Sequence, residues 1–182
     1  MDEGWEVIER RELLDAAPWL KVFAETVRLE DKRTLVPNFY HVEIPPYVVI
    51  FALTEGQHVA LIEHYKHGVK RRVLELPAGY IDPGESPLDS ARRELQEETG
   101  LTAPEWCSLG VFTVDGNRGC GQAHAFLARH ARQVAVPQAG DLEHQCIHFY
   151  DLDRLREHWL AGKFVTIAAT AVIGLALAHL GA

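Results

Sequence analysis

Cysteine is scarce in this sequence, whose 182 residues include three: Cys107, Cys120 and Cys146. An odd number without regular spacing does not form the disulfide framework that stabilises many small secreted domains. We therefore expect free thiols in a reducing compartment, which favours a cytoplasmic location. The first dozen residues are acidic and polar, so they predict neither a signal peptide nor a transit peptide.

Basic residues are fewer than acidic ones, 18 against 26, and the sequence has no long apolar run. The formal net charge of −8 argues against a nucleic-acid-binding protein, which normally presents a basic surface. The longest apolar run, Phe164 to Leu180, is interrupted by polar residues and is shorter than the roughly 20 residues of a membrane span. Its spacing is typical of a packed helix. We therefore expect neither a nucleic acid nor a membrane as partner.

What the sequence does contain is a crowded acidic segment, residues 79–101, which reads GYIDPGESPLDSARRELQEETGL. Ser86 is a good N-cap, and Pro87 suits the first position of a helix, where its missing N–H costs nothing. Asp89 lies three residues after Ser86 and could close a capping box. Gly100 supplies a C-terminal stop. These signals predict a helix that begins at Pro87 and ends before Gly100.

The phase of this helix brings its glutamates together. At about 100° per residue, three apolar residues share one core-facing stripe: Leu88, Ala91 and Leu95. Glu94 and Glu98 are then neighbours at i and i+4, and Glu97 flanks Glu94. Like charges in this arrangement cost about 0.2–0.5 kcal/mol on an exposed helix, and more where solvent is lost. A divalent cation would turn the repulsion into binding, since hard cations prefer oxygen ligands.

A solvated acidic helix end is the simpler interpretation, and we would favour it for an isolated Glu-Glu-x-x-Gly. The full pattern, however, defines nine positions over 23 residues, which chance does not explain: Gly79, Glu85, Arg93, Glu94, Leu95, Glu97, Glu98, Gly100 and Leu101. It matches the Nudix box, GX5EX7REUXEEXGU with U aliphatic, at every defined position. The chain therefore resembles the Nudix hydrolases, metal-dependent enzymes that cleave nucleoside diphosphates linked to another group.

The resemblance extends beyond the box. Residues 74–82, LELPAGYID, are similar to the LE-P-AG-ID segment of the ADP-ribose pyrophosphatase branch, and residues 18–30, 47–68 and 140–143 resemble that branch as well. One segment departs from it. The branch often carries Ser-Pro-Gly or Asp-Pro-Gly shortly after the box, whereas residues 113–121 contain no proline. This departure leaves the choice between ADP-ribose and another nucleoside diphosphate sugar open.

The resemblance implies a metal site on the predicted helix. Glu94 and Glu98 would bind Mg²⁺, or alternatively Mn²⁺, together with Glu97 and the backbone carbonyl of Ala78. Mg²⁺ keeps several of its waters, so few protein ligands suffice. Arg93 would fix the carboxylate geometry by a bidentate contact to a box carboxylate.

The predicted catalytic set is Arg93, Glu97, Glu98 and Glu143. Glu85 or Glu97 is the expected partner of Arg93. Glu143 is the candidate base, because acidic residues on the corresponding loop serve in similar enzymes. Asp141 and Glu143 could equally be ordinary loop charges.

Substrate recognition is assigned to four residues: Lys66, Arg72, Trp19 and Arg118. An adenine needs an aromatic face, which Trp19 in the N-terminal element could provide. Lys66 lies where the branch often has a phosphate-binding basic residue, and Arg72 and Arg118 are further candidates for the phosphates. Each of the four taken singly could instead be a surface charge or a packed aromatic.

Alternating apolar and polar runs predict two hairpins, at residues 20–44 and 47–65, with later strands at 72–76, 106–114, 122–127 and 146–150. Closing helices are expected at 152–160 and 166–180. This order suggests an α/β/α sandwich around a mixed β-sheet with an N-terminal β-hairpin, which is the Nudix fold that the resemblance implies. Pro45-Pro46 divides the chain into an N-terminal β element, residues 1–45, and a hydrolase domain, residues 46–182.

The N-terminal element also bears on assembly. In the ADP-ribose branch it commonly exchanges across a homodimer and helps to build the partner's pocket, so we expect a homodimer. The alternative is a monomer whose hairpin packs on its own sheet.

The predicted activity is metal-dependent hydrolysis of the diphosphate of ADP-ribose or a related nucleoside diphosphate sugar, giving a nucleoside monophosphate and a sugar phosphate. One alternative is a pyrophosphohydrolase for another nucleotide, such as a dinucleotide or a modified nucleotide. A non-catalytic nucleotide-sugar sensor is the more distant alternative, because such modules tend to lose box carboxylates and this sequence keeps them.

Overall fold

The structure is a computed structural model that describes residues 4–138 and 145–182. It divides into two compact units. The first comprises Met1–Pro46 and Thr113–Gln122, and the second comprises Tyr47–Phe112 and Ala123–Ala182.

The first unit is built on a three-stranded antiparallel sheet in the order β1-β2-β3. Its strands are β1 (Glu6–Ala16), β2 (Leu20–Arg28) and β3 (Leu35–Glu43). The hairpin predicted for residues 20–44 is therefore present as β2 and β3. Strand β1 was not predicted. All eleven of its residues are exposed, so neither of its faces carries the buried apolar pattern by which a strand is recognised.

A turn of the longest hairpin also belongs to the first unit. This hairpin joins β9 (Glu105–Asp115) to β10 (Cys120–Gln133). Asp115 accepts hydrogen bonds from the backbone N–H groups of Asn117 and Arg118, which defines the turn. The carbonyl of Arg118 accepts from the N–H of Val42, 2.9 Å away, so the turn is tied to β3.

The second unit contains a mixed sheet in the order β11-β5-β4-β10-β8, with β6 paired to β5, β7 to β4 and β9 to β10. Its further strands are β4 (Tyr47–Thr54), β5 (His58–Lys66), β6 (Arg71–Glu75), β7 (Ala78–Tyr80), β8 (Leu101–Thr102) and β11 (Cys146–Asp151). Strand β10 runs parallel to β4, whereas β5 and β7 run antiparallel to it. The helices are α1 (Pro87–Thr99), α2 (Leu152–Leu160) and α3 (Ile167–Leu180).

Alternate residues of β4 enter two separate cores. Phe51 and its neighbours on one face pack in a cluster with Leu155 of α2 and Ile173 of α3. Ile50 and its neighbours on the other face pack in a second cluster with Leu95 of α1. The period of two along a strand therefore places helices on both faces of the sheet. This confirms the predicted α/β/α sandwich. Among the described residues, no helix is long and apolar enough to cross a membrane.

Candidate metal and active site

Helix α1 begins and ends where its capping signals predict. The Ser86 hydroxyl accepts from the N–H of Asp89 at 3.2 Å, and Gly100 ends the helix with φ of 71°. The capping box differs in one bond from the expected form. The carboxylate of Asp89 accepts from the Ser86 hydroxyl at 2.7 Å, where a full box would use the Ser86 backbone N–H. The shorter side chain of Asp reaches the hydroxyl.

The predicted apolar stripe of α1 faces the core. Ala91 and Leu95 are fully buried, and Leu88 packs against the same cluster. This phase leaves Glu98 8% exposed, whereas about half of the Glu97 side chain is open to solvent. A shielded carboxylate such as Glu98 requires a hydrogen-bond donor or a cation, because loss of water disfavours its charged form.

Strand β7 provides the first such donor. The backbone N–H of Ala78 donates to Glu98 Oε2 at 2.9 Å. Pairing of Ala78 with Val49 of β4 fixes the direction of this part of the backbone. The structure thus places Ala78 beside Glu98, two of the residues predicted to share a metal ion.

Gly79 leaves space for a second carboxylate. A Cβ atom built on Gly79 would overlap the carboxylate of Glu94. The need for glycine at this position is therefore one of space, since the backbone of β7 is extended here. The Glu94 carboxylate lies directly against the strand that carries Ala78.

Arg93 connects the carboxylates. Its Nε and Nη2 atoms donate to Glu85 at 3.0–3.3 Å, and Nη2 also donates to the carbonyl of Tyr80 at 3.0 Å. Its Nη1 donates to Glu94 Oε1 at 2.5 Å and to Glu97 Oε2 at 3.1 Å. Both expected partners, Glu85 and Glu97, are therefore in contact with Arg93. The contact with Glu94 was not predicted.

This network shifts the pKa values of Glu85 and Arg93. Hydrogen bonds from Arg93, and then from the Ser90 hydroxyl, lower the pKa of the Glu85 carboxyl below its ordinary value. The same bond to Glu85, followed by those to Glu94 and Glu97, raises the pKa of Arg93. A guanidinium and several carboxylates in mutual contact stabilise one another's ionised forms.

Within the described part of the chain, no three His, Cys, Asp or Glu side chains form a ready-made metal-binding group. The contacts above account for this, because Glu94 and Glu97 converge on Arg93 while Glu98 accepts from Ala78. The donor chemistry nevertheless fits a hard cation, since carboxylate and carbonyl oxygens are the ligands that Mg²⁺ and Mn²⁺ prefer. Because Gly79 has no side chain, the Glu94 carboxylate lies close enough to β7 to join a set of oxygen ligands there.

Lys66, a predicted substrate residue, belongs to a cluster that sequence reasoning missed. Its Nζ donates to Glu75 Oε2 at 2.6 Å, and His64 Nε2 lies 2.8 Å from the same oxygen. Burial alone would raise the pKa of Glu75. Hydrogen bonds from His64, Lys66 and Thr166, with the Lys66 charge, outweigh burial and lower it to about 2. The register that pairs β5 with β6 was the missing signal: it sets Glu75 opposite Ile62, on the face of the sheet that His64 and Lys66 share.

Of the other predicted substrate residues, Arg72 lies in the second unit, and Trp19 and Arg118 lie in the first. Arg72 donates from Nε to Glu63 Oε1 and from Nη2 to the Glu63 carbonyl, each at 3.0 Å, on the β5–β6 pair. Trp19 lies in the turn between β1 and β2 of the first unit and is 65% exposed. Arg118 is paired with Asp115 in the turn of the β9–β10 hairpin. The candidate base Glu143, with Asp141, lies outside the described residues.

Comparison with known proteins places the chain among characterised relatives. Residues 44–168 match the model of the NUDIX domain. Over 134 residues the chain is 31% identical to an ADP-ribose pyrophosphatase of Mycobacterium tuberculosis, a match that covers 72% of this chain and 64% of that protein. It is 32% identical over 113 residues to an ADP-ribose pyrophosphatase of Bacillus subtilis, covering 60% and 58%. The chain thus spans about three-fifths of the length of these relatives.

A further relative and a solved structure agree with this placement. The chain is 32% identical over 122 residues to an ADP-sugar pyrophosphatase of Mus musculus, covering 66% of this chain and 54% of that protein. The crystal structure of an ADP compounds hydrolase superposes with a TM-score of 0.82 at 17% identity, covering 98% of this chain and 95% of the other. At that identity the superposition shows a shared fold.

Proposed function

The chain belongs to the Nudix family, and we propose that it hydrolyses the diphosphate bond of ADP-ribose or a related nucleoside diphosphate sugar in a metal-dependent reaction. Water would split the diphosphate into a nucleoside monophosphate and a sugar phosphate. The observation that carries this proposal is the placement of Glu98 against the Ala78 N–H and of Glu94 against Gly79, with Arg93 bonded to both Glu94 and Glu97. The relatives named as ADP-ribose and ADP-sugar pyrophosphatases support the substrate class.

The residues that would hold Mg²⁺ or Mn²⁺ are Glu94, Glu97, Glu98 and the carbonyl of Ala78. The ion would neutralise charge that develops on the diphosphate oxygens and lower the pKa of a bound water. Glu98, held by the Ala78 N–H, and Glu97, which is partly open to solvent, are the carboxylates proposed to act in catalysis. Glu143 remains the proposed base.

Lys66 and Arg72 are the proposed phosphate-binding residues of the second unit. The Lys66 side chain is 46% exposed although its Nζ donates to Glu75, so a phosphate group could approach it from the solvent side. Arg72 uses Nε and Nη2 for Glu63. Trp19 and Arg118 of the first unit are proposed to contact the base and the phosphates, and the exposed indole of Trp19 supports stacking.

A second candidate function is hydrolysis of another nucleotide, such as a dinucleotide or a modified nucleotide. It is favoured by residues 113–121, which lack the proline that often follows the box in the ADP-ribose branch. Turnover of ADP-ribose, ADP-glucose, GDP-mannose and NADH with Mg²⁺ and with Mn²⁺ distinguishes the two functions. We expect the highest kcat/KM for ADP-ribose or ADP-glucose. A clear preference for NADH would favour the second function.

We further propose that the protein is a cytoplasmic homodimer in which the element of residues 1–45 contributes to the interface and the hydrolase domain comprises residues 46–182. Strand β1 is an edge strand that exposes five large apolar side chains in or beside it: Trp5, Val7, Ile8, Leu13 and Leu14. Exposed apolar side chains on an unpaired edge are typical of a surface that another chain covers. Light scattering should therefore give about twice the chain mass, and a mass near 20.4 kDa would rule the dimer out.

A further inference from the structure

The guanidinium of Arg93 lies between carboxylates that the metal ion would also require. Its Nη1 is 2.5 Å from Glu94 Oε1 and 3.1 Å from Glu97 Oε2. Glu94 is largely shielded from solvent, with 13% of its side chain exposed. A positive group therefore already lies against two of the proposed metal ligands.

The other edge of the same guanidinium has separate partners. Nε and Nη2 donate to Glu85, and Nη2 donates to the carbonyl of Tyr80. Glu85 is itself held by the Ser90 hydroxyl at 2.5 Å. The planar guanidinium presents its donors on more than one edge, so loss of the Nη1 contacts would leave these bonds in place.

We propose that Arg93 is a built-in counter-ion that the divalent metal displaces from Glu94 and Glu97. Metal binding exchanges the Nη1 contacts for contacts with the ion, while Arg93 stays attached to Glu85 and Tyr80 through its other edge. The inference rests on the proposed function, because it requires a metal ion at Glu94 and Glu97. Arg93 then stabilises the metal-free protein and at the same time lowers its affinity for metal.

A simple bracing role predicts the opposite effect on affinity. If Arg93 only holds the carboxylates in the geometry that the metal needs, its removal should weaken metal binding. If it competes with the metal, its removal should strengthen metal binding. Loss of a positive charge in direct contact with two ligands raises the negative potential that attracts the ion.

The test is Mn²⁺ binding without substrate, measured by electron paramagnetic resonance of the free ion. We compare wild type, Arg93→Gln and the matched control Arg92→Gln. Arg92 is the preceding residue of α1 and pairs with the exposed Asp89 at 3.2 Å, so its removal changes the net charge equally. Arg93→Gln should lower the dissociation constant by about threefold or more, while Arg92→Gln stays near wild type. In EDTA, the melting temperature of Arg93→Gln should be lower than that of wild type. Addition of Mn²⁺ should raise the melting temperature of Arg93→Gln more than that of wild type.

Arg93→Lys is the second variant, in case Arg93→Gln does not fold. A single ammonium cannot hold both sets of partners, so the dissociation constant should again be lower than that of wild type. Equal or weaker Mn²⁺ binding by the folded Arg93 variants would overturn the exchange and leave the proposed function standing. Absence of Mn²⁺ binding by the wild-type protein would overturn both.

Discussion

At the scale of single residues, Gly79 controls whether Glu94 can reach its position. A methyl group at residue 79 would overlap the Glu94 carboxylate, so Gly79→Ala should displace Glu94 and weaken Mn²⁺ binding at least about tenfold. The overlap should also cost about 1–3 kcal/mol of stability. Isothermal titration with Mn²⁺ and thermal unfolding measure the two effects.

The matched control for this substitution is Gly68→Ala, because a Cβ on Gly68 meets no atom within 4 Å. Gly68→Ala should bind Mn²⁺ as wild type does. If Gly79→Ala also binds Mn²⁺ normally, Glu94 does not need the space that Gly79 leaves.

Glu75 gives a prediction about pH. Its folded pKa of about 2 lies below its ordinary value of 4.5, so its ionised form stabilises the folded protein. This contribution is complete above pH 4.5 and is lost as the pH falls toward 2. Glu75→Gln should therefore cost about 2–3 kcal/mol at pH 7 and clearly less at pH 3. Urea unfolding of wild type and variant at both pH values measures the difference. An equal loss of stability at pH 3 and pH 7 would mean that the charge of Glu75 is not involved.

At the scale of secondary-structure elements, the N-cap of α1 anchors the helix that carries the site. Ser86→Ala removes the hydroxyl that accepts from Asp89 N and should cost about 1 kcal/mol. For a chain of this size the melting temperature should fall by about 2–4 °C. Calorimetry against Ser108→Ala, a change at an exposed residue of β9, provides the measurement and its control. A fall no larger than that of Ser108→Ala would show that the cap contributes nothing.

Local signals explain why some elements could be predicted and others could not. Helix α1 is specified by Ser86, Pro87 and Gly100, which act on neighbouring backbone, so its bounds follow from the sequence. Strand β1 carries charges among its apolar residues and buries neither face, so no periodicity marks it. Its existence depends on pairing with β2, which is a contact between segments.

In the candidate site, too, local features could be predicted from the sequence, whereas contacts between distant segments could not. The proximity of Glu94, Glu97 and Glu98 follows from the helical repeat, which is a local property. The choice of Arg93 partners depends on the loop that brings Glu85 and Tyr80 back to α1. The Glu75 cluster depends on the register of β5 against β6 and on Thr166 at the start of α3. Contacts between distant segments are what the sequence alone does not specify.

At the scale of the whole molecule, the sheet between two helical layers holds α1 against β4 and β7. Pairing of β7 with β4 fixes Ala78, and packing of Leu95 in the cluster with Ile50 fixes the helix. The two halves of the candidate metal site are thus both attached to β4. The proposal that this site cleaves the diphosphate bond of ADP-ribose can be measured directly.

Phosphorus NMR of ADP-ribose incubated with the protein tests that claim most directly. With Mg²⁺, the diphosphate signals should disappear as AMP and ribose 5-phosphate appear, and EDTA should stop the reaction. Glu98→Gln should lower kcat by about 100-fold or more, whereas Glu55→Gln, at an exposed turn, should leave it unchanged. Binding of ADP-ribose or its analogues without any turnover in saturating metal would contradict the account.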